Sequence, residues 1–166
     1  MLRVHSRLRY YLSVSRMKRL LPILILLAFA ALAGGRGGRA EYVGGTIAEI
    51  PDGCAGQLDS VDEQYFVFYS KGASWRISYE QINLVEYGQK VDRRYLAAIV
   101  ISPLFLLSKK RQHFLTLGYT DEEGRQQAMV FKVNKDDIRF LLVGLEARTG
   151  RKVQFQDDEA RKAGKG

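Results

Sequence analysis

The residues beyond position 40 that are best suited to catalysis are His113 and Cys54, which are the single histidine and the single cysteine of that region. Nucleophilic catalysis by serine or cysteine usually needs a positioned base such as histidine. In the alternating run 113–120, His113 falls on the same side as Leu115 and Leu117, which is typical of a structural histidine. Cys54 and His113 are far apart in sequence and offer no metal-ligand spacing. We therefore expect no catalytic residue, no metal and no cofactor, and a protein that is not an enzyme.

Carboxylates cluster at 121–123, 136–137 and 157–159. These clusters fall in a predicted hairpin turn, a predicted helix start and a predicted tail. Acidic residues are common in each of these contexts, so the clusters do not indicate a site for a metal or another ligand. Asp59, Asp62 and Glu63 precede a strand, but they lack the glycine and the ligand alternation of an EF-hand loop. The glycine pairs at 34–35, 37–38 and 44–45 lack the strand, loop and helix context of a phosphate-binding loop.

The first 40 residues have the order of an export signal. Basic residues through Arg19 precede the apolar run 20–33, which ends in Ala31-Leu32-Ala33, a small-x-small pattern that signal peptidases cleave. Fourteen residues rise only about 21 Å as a helix, against ~30 Å of hydrocarbon, so a cleaved signal is favoured over a retained membrane anchor. Residues 34–40 are predicted to be a flexible linker, and Ala40 offers a second cleavage site. Met17 is an alternative start of translation. We expect an exported protein of the periplasm or cell envelope.

Charge is concentrated in this leader. The formal charge of the chain is +8, but residues 1–40 hold eight lysines and arginines and no acid, which leaves 18 of the 26 basic residues against all 18 acidic ones. The domain beyond residue 40 is therefore neutral, and nucleic acid is not an expected partner. With Cys54 as the single cysteine of the chain, no intrachain disulfide can form.

Alternating and aromatic runs predict a domain rich in strands over 41–155. Predicted strands cover 42–47, 64–70, 74–79 and 81–87, and a hairpin turn at 70–73 joins the second to the third. A second hairpin joins 113–120 to 126–133, with Gly124 in its loop at a left-handed position.

The hydrophobic period then changes to that of a helix. Residues with i, i+3, i+4, i+7 spacing form its apolar face: Ile138, Leu141, Leu142 and Leu145. Asn134 is the predicted N-cap, Asp136 and Asp137 fall in the first turn, and Gly150 ends the helix. Residues 156–166 are charged and bear no apolar residue beyond alanine, so they are predicted to be a disordered tail.

Short strands closed by one amphipathic helix predict an α+β fold that is mostly antiparallel β, a partly open barrel or sandwich capped by a C-terminal helix. The pattern Trp75-x-Ile77-x-Tyr79-x-x-Ile82 and the closing helix resemble pleckstrin-homology-like domains, including the GRAM type. The strings at 42–46, 86–90 and 107–111 resemble those of a family of small exported bacterial proteins without an assigned function. The resemblance implies an architecture, and it implies no ligand.

The most unusual segment is 95–108 (YLAAIVISPLFLLS), which lies between Asp92-Arg93-Arg94 and Lys109-Lys110-Arg111. Pro103 disfavours one straight helix, and fourteen residues are too few to span a bilayer. Burial as a core element is favoured over insertion into an anionic membrane surface, and both readings remain open. If the segment is exposed, it predicts a protein partner. The residues of this region that we expect to contact a partner or lipid are Arg93, Arg94, Tyr95, Ile99, Val100, Leu104, Phe105, Lys109, Lys110 and Arg111.

These patterns favour a non-enzymatic binding or scaffolding module of the cell envelope. Its expected partner is an unidentified protein or membrane lipid, and a homo-oligomer is possible. The alternatives are a peripheral membrane protein that inserts 95–108 into lipid, and an enzyme whose residues come together only in three dimensions.

Overall fold

The computed structural model describes residues 37–90, the backbone of 100–101, and residues 112–165. All of these belong to one compact unit, Gly37–Gly166. The strands are β1 (Gly38–Gly45), β2 (Ala55–Asp59), β3 (Tyr65–Ser70), β4 (Ala73–Ser78), β5 (Ile82–Gly88), β6 (Val100–Ile101), β7 (His113–Thr120), β8 (Gln126–Val133) and β9 (Gln154–Phe155). The helices are α1 (Ile138–Thr149) and α2 (Asp158–Lys165), and a 3-10 turn (Tyr79–Gln81) precedes β5.

Eight strands form one open sheet in the order β4-β3-β2-β1-β8-β7-β5-β9. Every neighbouring pair is antiparallel except β5 and β9, which are parallel. The short strand β6 pairs with the end of β1, where Gly44 and Gly45 face Ile101 and Val100. The predicted α+β class with mostly antiparallel strands is confirmed, although the described residues contain two helices where the sequence predicted one.

Both predicted hairpins are present. In the first, Ser70 pairs with Ala73 and the intervening Gly72 has φ 82°. In the second, Gly124 has φ 79°, a value that favours glycine because a Cβ would be strained there. The predicted alternation along β4 is also confirmed, because Ile77 is buried whereas Ser74 and Arg76 are exposed.

The core lies between one face of the sheet and α1. The four predicted apolar positions of α1 are all at most 4% exposed, and they join a cluster of buried side chains from β1, β5, β7 and β8. Phe131 forms its aromatic centre, with ring centroids 5.0 Å from Phe68 and 5.7 Å from Tyr42. α1 lies close to β1 at Gly38, where an added Cβ would come within 2.5 Å of Leu141 Cδ1.

The first strand begins earlier than predicted. Gly38 pairs with Leu58, and Ala40 pairs with both Gly56 and Val133 and is 8% exposed. The part of the predicted linker that covers residues 38–40 is therefore wrong. These small residues allow β1 to lie between β2 and β8 beneath α1, and sequence composition does not reveal such pairing.

α1 begins later than the N-cap predicted at Asn134. The carbonyl of Asn134 accepts hydrogen bonds from the N–H groups of Asp137 (3.1 Å) and Ile138 (3.2 Å), so Asn134 starts a turn that leads into the helix. Asp137 is the N-cap but makes no side-chain cap bond, because its carboxylate accepts the backbone N–H of Arg39 at 3.0 Å. The carboxylate predicted for the first helical turn thus joins the helix start to β1. The predicted end is confirmed, since Gly150 is left-handed with φ 67°.

The predicted disordered tail contains α2, so this expectation is wrong. Ala160 is completely buried, and Gly164 lies so close to the core that a Cβ would come within 2.7 Å of the Phe155 ring. The carboxylate of Asp157 caps the helix by accepting the Ala160 N–H at 2.6 Å. Small residues at i and i+4 let this helix pack closely without large apolar side chains. The prediction of a tail was wrong because it relied on the absence of such large side chains.

Candidate functional site

His113 belongs to a stacked pair at the start of β7. The hydroxyl oxygen of Tyr87 lies 2.5 Å from His113 Nδ1, and the two rings stack with centroids 5.9 Å apart. Burial, assisted by Lys135, lowers the pKa of His113, and burial raises the pKa of Tyr87. A neutral imidazole protonated at Nε2 accepts a hydrogen bond at Nδ1 from the phenol O–H, so the two groups satisfy each other. The arrangement accounts for His113 as a packing residue.

Cys54 serves a local contact. It is half-buried, and its Sγ lies 2.8 Å from Ser70 Oγ at the end of β3. Ser70 Oγ also donates to the carbonyl of Ala55 at 3.1 Å. The thiol therefore helps to connect the loop before β2 with the turn after β3.

Two of the three acidic residues between positions 59 and 63 accept backbone hydrogen bonds. Asp59 accepts the Val61 N–H at 2.7 Å, and Asp62 accepts those of Gln64 and Tyr65 at 2.8 Å each. These bonds lower the pKa of Asp62. Within the described ranges, no group of three or more histidine, cysteine or acidic side chains is placed to hold a metal ion.

A concave region of about 510 Å³ lies beside α2 and is lined by Phe155, Asp157, Asp158 and Arg161. Its polar groups are already used, because Asp157 caps α2 and Asp158 pairs with Arg161. Lys165 Nζ lies 5.5 Å from the centre of the Phe155 ring. This region stabilises α2 and offers a ligand little free polar chemistry.

The candidate binding surface lies at the other end of the sheet, on β3 and β4. Tyr65 and Tyr69 point away from the core and are 38% and 43% exposed, with Val67 buried between them. Arg76 of β4 pairs in register with Val67 and is also exposed. We call Tyr65, Tyr69 and Arg76 the Tyr-Arg surface. Tyrosine and arginine are enriched at the energetic centres of protein interfaces, where a tyrosine contributes large contact area with few rotatable bonds.

This surface continues onto the edge of the sheet. Among the described strands, β4 pairs with β3 alone, so its outer side presents backbone N–H and C=O groups at the end of the sheet. Such an edge can accept an additional strand from another chain. Arg76 would lie beside such a strand, and the tyrosines of β3 would lie one strand further in.

Sequence reasoning did not identify this surface. A signal existed, because β3 carries large side chains on both faces: Phe66 and Phe68 point to the core, whereas Tyr65 and Tyr69 point outward. A strand with one solvated face normally alternates apolar with polar residues, so aromatic residues on the outward face indicate a surface that contacts another molecule.

The predicted contact residues between 93 and 111 lie outside the described residues, apart from the backbone of Val100 in β6. Their role therefore stays a prediction.

No protein-family model and no curated protein matches this chain. The resemblance to pleckstrin-homology-like domains and to a family of small exported bacterial proteins thus stays a prediction. No helix within the described ranges combines the length and hydropathy that crossing a bilayer requires.

Proposed function

We propose that this chain is a non-enzymatic binding module of the cell envelope that takes an extended segment of a protein partner along β4. The observation that carries the proposal is the Tyr-Arg surface beside the edge of the sheet. Export is the second part of the proposal, and it rests on the basic, apolar and small-residue order of residues 1–40.

The edge of β4 supplies the main-chain part of recognition. Added strands gain affinity from backbone hydrogen bonds and gain specificity from alternate side chains. β4 is six residues long, which is enough to pair with a segment of similar length, and Ser74 and Arg76 are exposed along it. An incoming strand would therefore meet the backbone groups of β4, with Ser74 and Arg76 beside it on the outward face.

The Tyr-Arg surface supplies the side-chain part. Tyr65 and Tyr69 each present an apolar ring with a hydroxyl group, and Arg76 presents a guanidinium that binds carboxylates with two hydrogen bonds. This combination favours a partner segment that carries apolar or aromatic residues next to an aspartate or glutamate.

The test is site-specific photo-crosslinking in cells that express the full chain, with a photoreactive amino acid in place of Ser74 or, separately, Phe140. Phe140 is the matched control, because it is 48% exposed but lies on α1, away from β4. We expect one adduct with a defined protein from position 74 and none from position 140. Tyr69→Ala should weaken that adduct about fivefold or more, because truncating a tyrosine at the centre of an interface costs more than ~1 kcal/mol. Fluorescence of Trp75 verifies that each variant is folded.

Three results would contradict the proposal. Equal labelling from positions 74 and 140 would mean that crosslinking is not specific for β4, and that β4 is not a binding surface. An adduct from position 74 that consists of two copies of this chain would mean that the edge serves self-association. A reporter enzyme that is active only after export can be fused after residue 60. If this fusion is inactive, the chain is not exported and the proposed location in the cell envelope is wrong.

A further inference from the structure

The sheet has a second buried face, which the core beneath α1 does not explain. On the side of the central strands turned away from α1 lie Val43, Glu86, Phe114, Thr116 and Val130, which we call the outer sheet face. Each of these side chains is at most 4% exposed. The three apolar residues, Val43, Phe114 and Val130, do not belong to the core cluster that includes the apolar residues of α1. A sheet face that is this dry is covered by another layer.

The register shows that these residues form one continuous patch. Glu86 pairs with Thr116, and Thr116 pairs with Val130. Val130 pairs with Gly44, and Val43 is the extra residue of the bulge beside it. Phe114 lies two positions before Thr116 on β7, on the same side of that strand. The patch therefore crosses β5, β7, β8 and β1.

The helices of the described chain pack on the opposite face. α1 contributes its four buried residues to the core cluster. α2 also belongs to that side, because Ala160 joins the same cluster and Gly164 approaches the ring of Tyr87. At one margin of the outer sheet face, the amide of Gln156 donates to Glu86 at 3.1 Å. Neither described helix covers the centre of the patch, at Thr116 and Val130.

The chain path supplies the occupant. β5 is followed by residues 89–90, and the next described residues are Val100 and Ile101 of β6. At Gly44, β1 pairs with both β6 and β8, so β6 lies on the side of β1 that is turned away from β8. The chain must therefore pass from β5 beyond β7, β8 and β1, a distance of roughly 19 Å for four strand spacings. It then returns to Gln112 and β7.

Both connecting stretches are long enough for this path. Residues 91–99 and 102–111 can each reach about 30 Å when extended. The core face is close-packed with side chains and with α1, so a segment that crosses the strands over a face of the sheet crosses the outer sheet face. The composition also fits, because 95–107 is largely apolar, like Val43, Phe114 and Val130. The bases that flank this stretch are complementary in charge to the buried Glu86.

We propose that the outer sheet face is the docking site of residues 95–108 of the same chain, which form a second apolar layer over the sheet. This assigns the segment to the interior of the domain, and it goes beyond the proposed binding function, which uses β3 and β4. A segment docked on this face would not be available for insertion into a membrane.

The test joins two measurements on the full chain without lipid. In the first, a benzophenone is attached to Ala128→Cys in a Cys54→Ser background, because Ala128 is half-buried and shares the outer side of β8 with Val130. Val143→Cys, on the 66% exposed position of α1, carries the same label as the control. We expect an intramolecular adduct between position 128 and a peptide from 95–108, and no such adduct from position 143.

The second measurement is hydrogen exchange of the unmodified chain, which does not depend on any variant folding. We expect the amides of 95–99 and 102–108 to exchange at least about 100-fold more slowly than in an unstructured peptide. Exchange within about tenfold of the unstructured rate would overturn the proposal. Adducts from position 128 that contain only residues 1–36, or that form only between two chains, would assign the face to the leader or to a second copy and would overturn it equally.

Discussion

The C-terminal helix α2 offers the sharpest test of the packing, because sequence patterns predicted disorder there. The perturbation is Ala160→Glu, which places a carboxylate at a position that is completely buried. The matched control is Lys162→Glu, which makes the same new residue two positions later on the exposed side of the same helix.

The magnitude follows from what α2 contributes. An unpaired carboxylate held in a dry site would cost several kcal/mol, but the domain can avoid this cost by releasing α2. The loss is then limited to the free energy of docking. This comprises about 0.8 kcal/mol for the buried methyl group of Ala160 and a similar amount for the contact between Gly164 and Phe155. The cap by Asp157 adds about 1 kcal/mol. We expect a loss of about 2–3 kcal/mol in the free energy of unfolding.

The assay is urea unfolding followed by fluorescence of Trp75, the single tryptophan, which stacks on Phe68 with centroids 5.8 Å apart. With an m-value of about 2 kcal/mol per molar urea, Ala160→Glu should lower the midpoint by about 1 M. Lys162→Glu should change it by less than about 0.3 M, because exposed substitutions usually stay within 0.5 kcal/mol. An unchanged midpoint for Ala160→Glu, with fast amide exchange over 158–165 in the unmodified chain, would refute the docking of α2.

Three further predictions concern the core, one acid and the leader. Leu145→Ala, at a completely buried position, should lower the free energy of unfolding by about 2–5 kcal/mol. Val143→Ala, on the exposed side of α1, should leave urea unfolding nearly unchanged. Equal effects of the two substitutions would contradict the assigned buried face of α1. The hydrogen bond from Gln127, with those from Arg125, lowers the pKa of Asp121 from 3.8 to about 2. The stability that this carboxylate contributes is therefore present above pH ~4 and is lost as the pH falls towards 2, and carboxyl NMR should show a pKa near 2 that rises in Gln127→Ala. If the leader is removed on export, mass spectrometry of the mature chain should find cleavage after Ala33 rather than Ala40, because the later cut would delete the paired residues Gly38 and Ala40 from β1.

Local patterns sufficed for the elements whose neighbours in sequence are also their partners in space. Both hairpins were predicted because alternation sets the faces of their strands and a glycine with positive φ closes each turn. The apolar face of α1 and its end at Gly150 followed from the helical period and from the left-handed glycine. The antiparallel α+β class followed from these elements in their order.

The tertiary structure decided what depends on partners distant in sequence. Residues 38–40 form a strand because β2 and β8 lie on either side of them, and α2 forms because its small residues fit closely against Phe155 and Tyr87. The same holds for the proposed binding surface. The outward tyrosines of β3 lie beside Arg76 only because β3 pairs with β4, at the end of the described sheet, and the outer sheet face exists only where four strands align. Composition and period describe one segment at a time, whereas pairing and burial are properties of segments brought together.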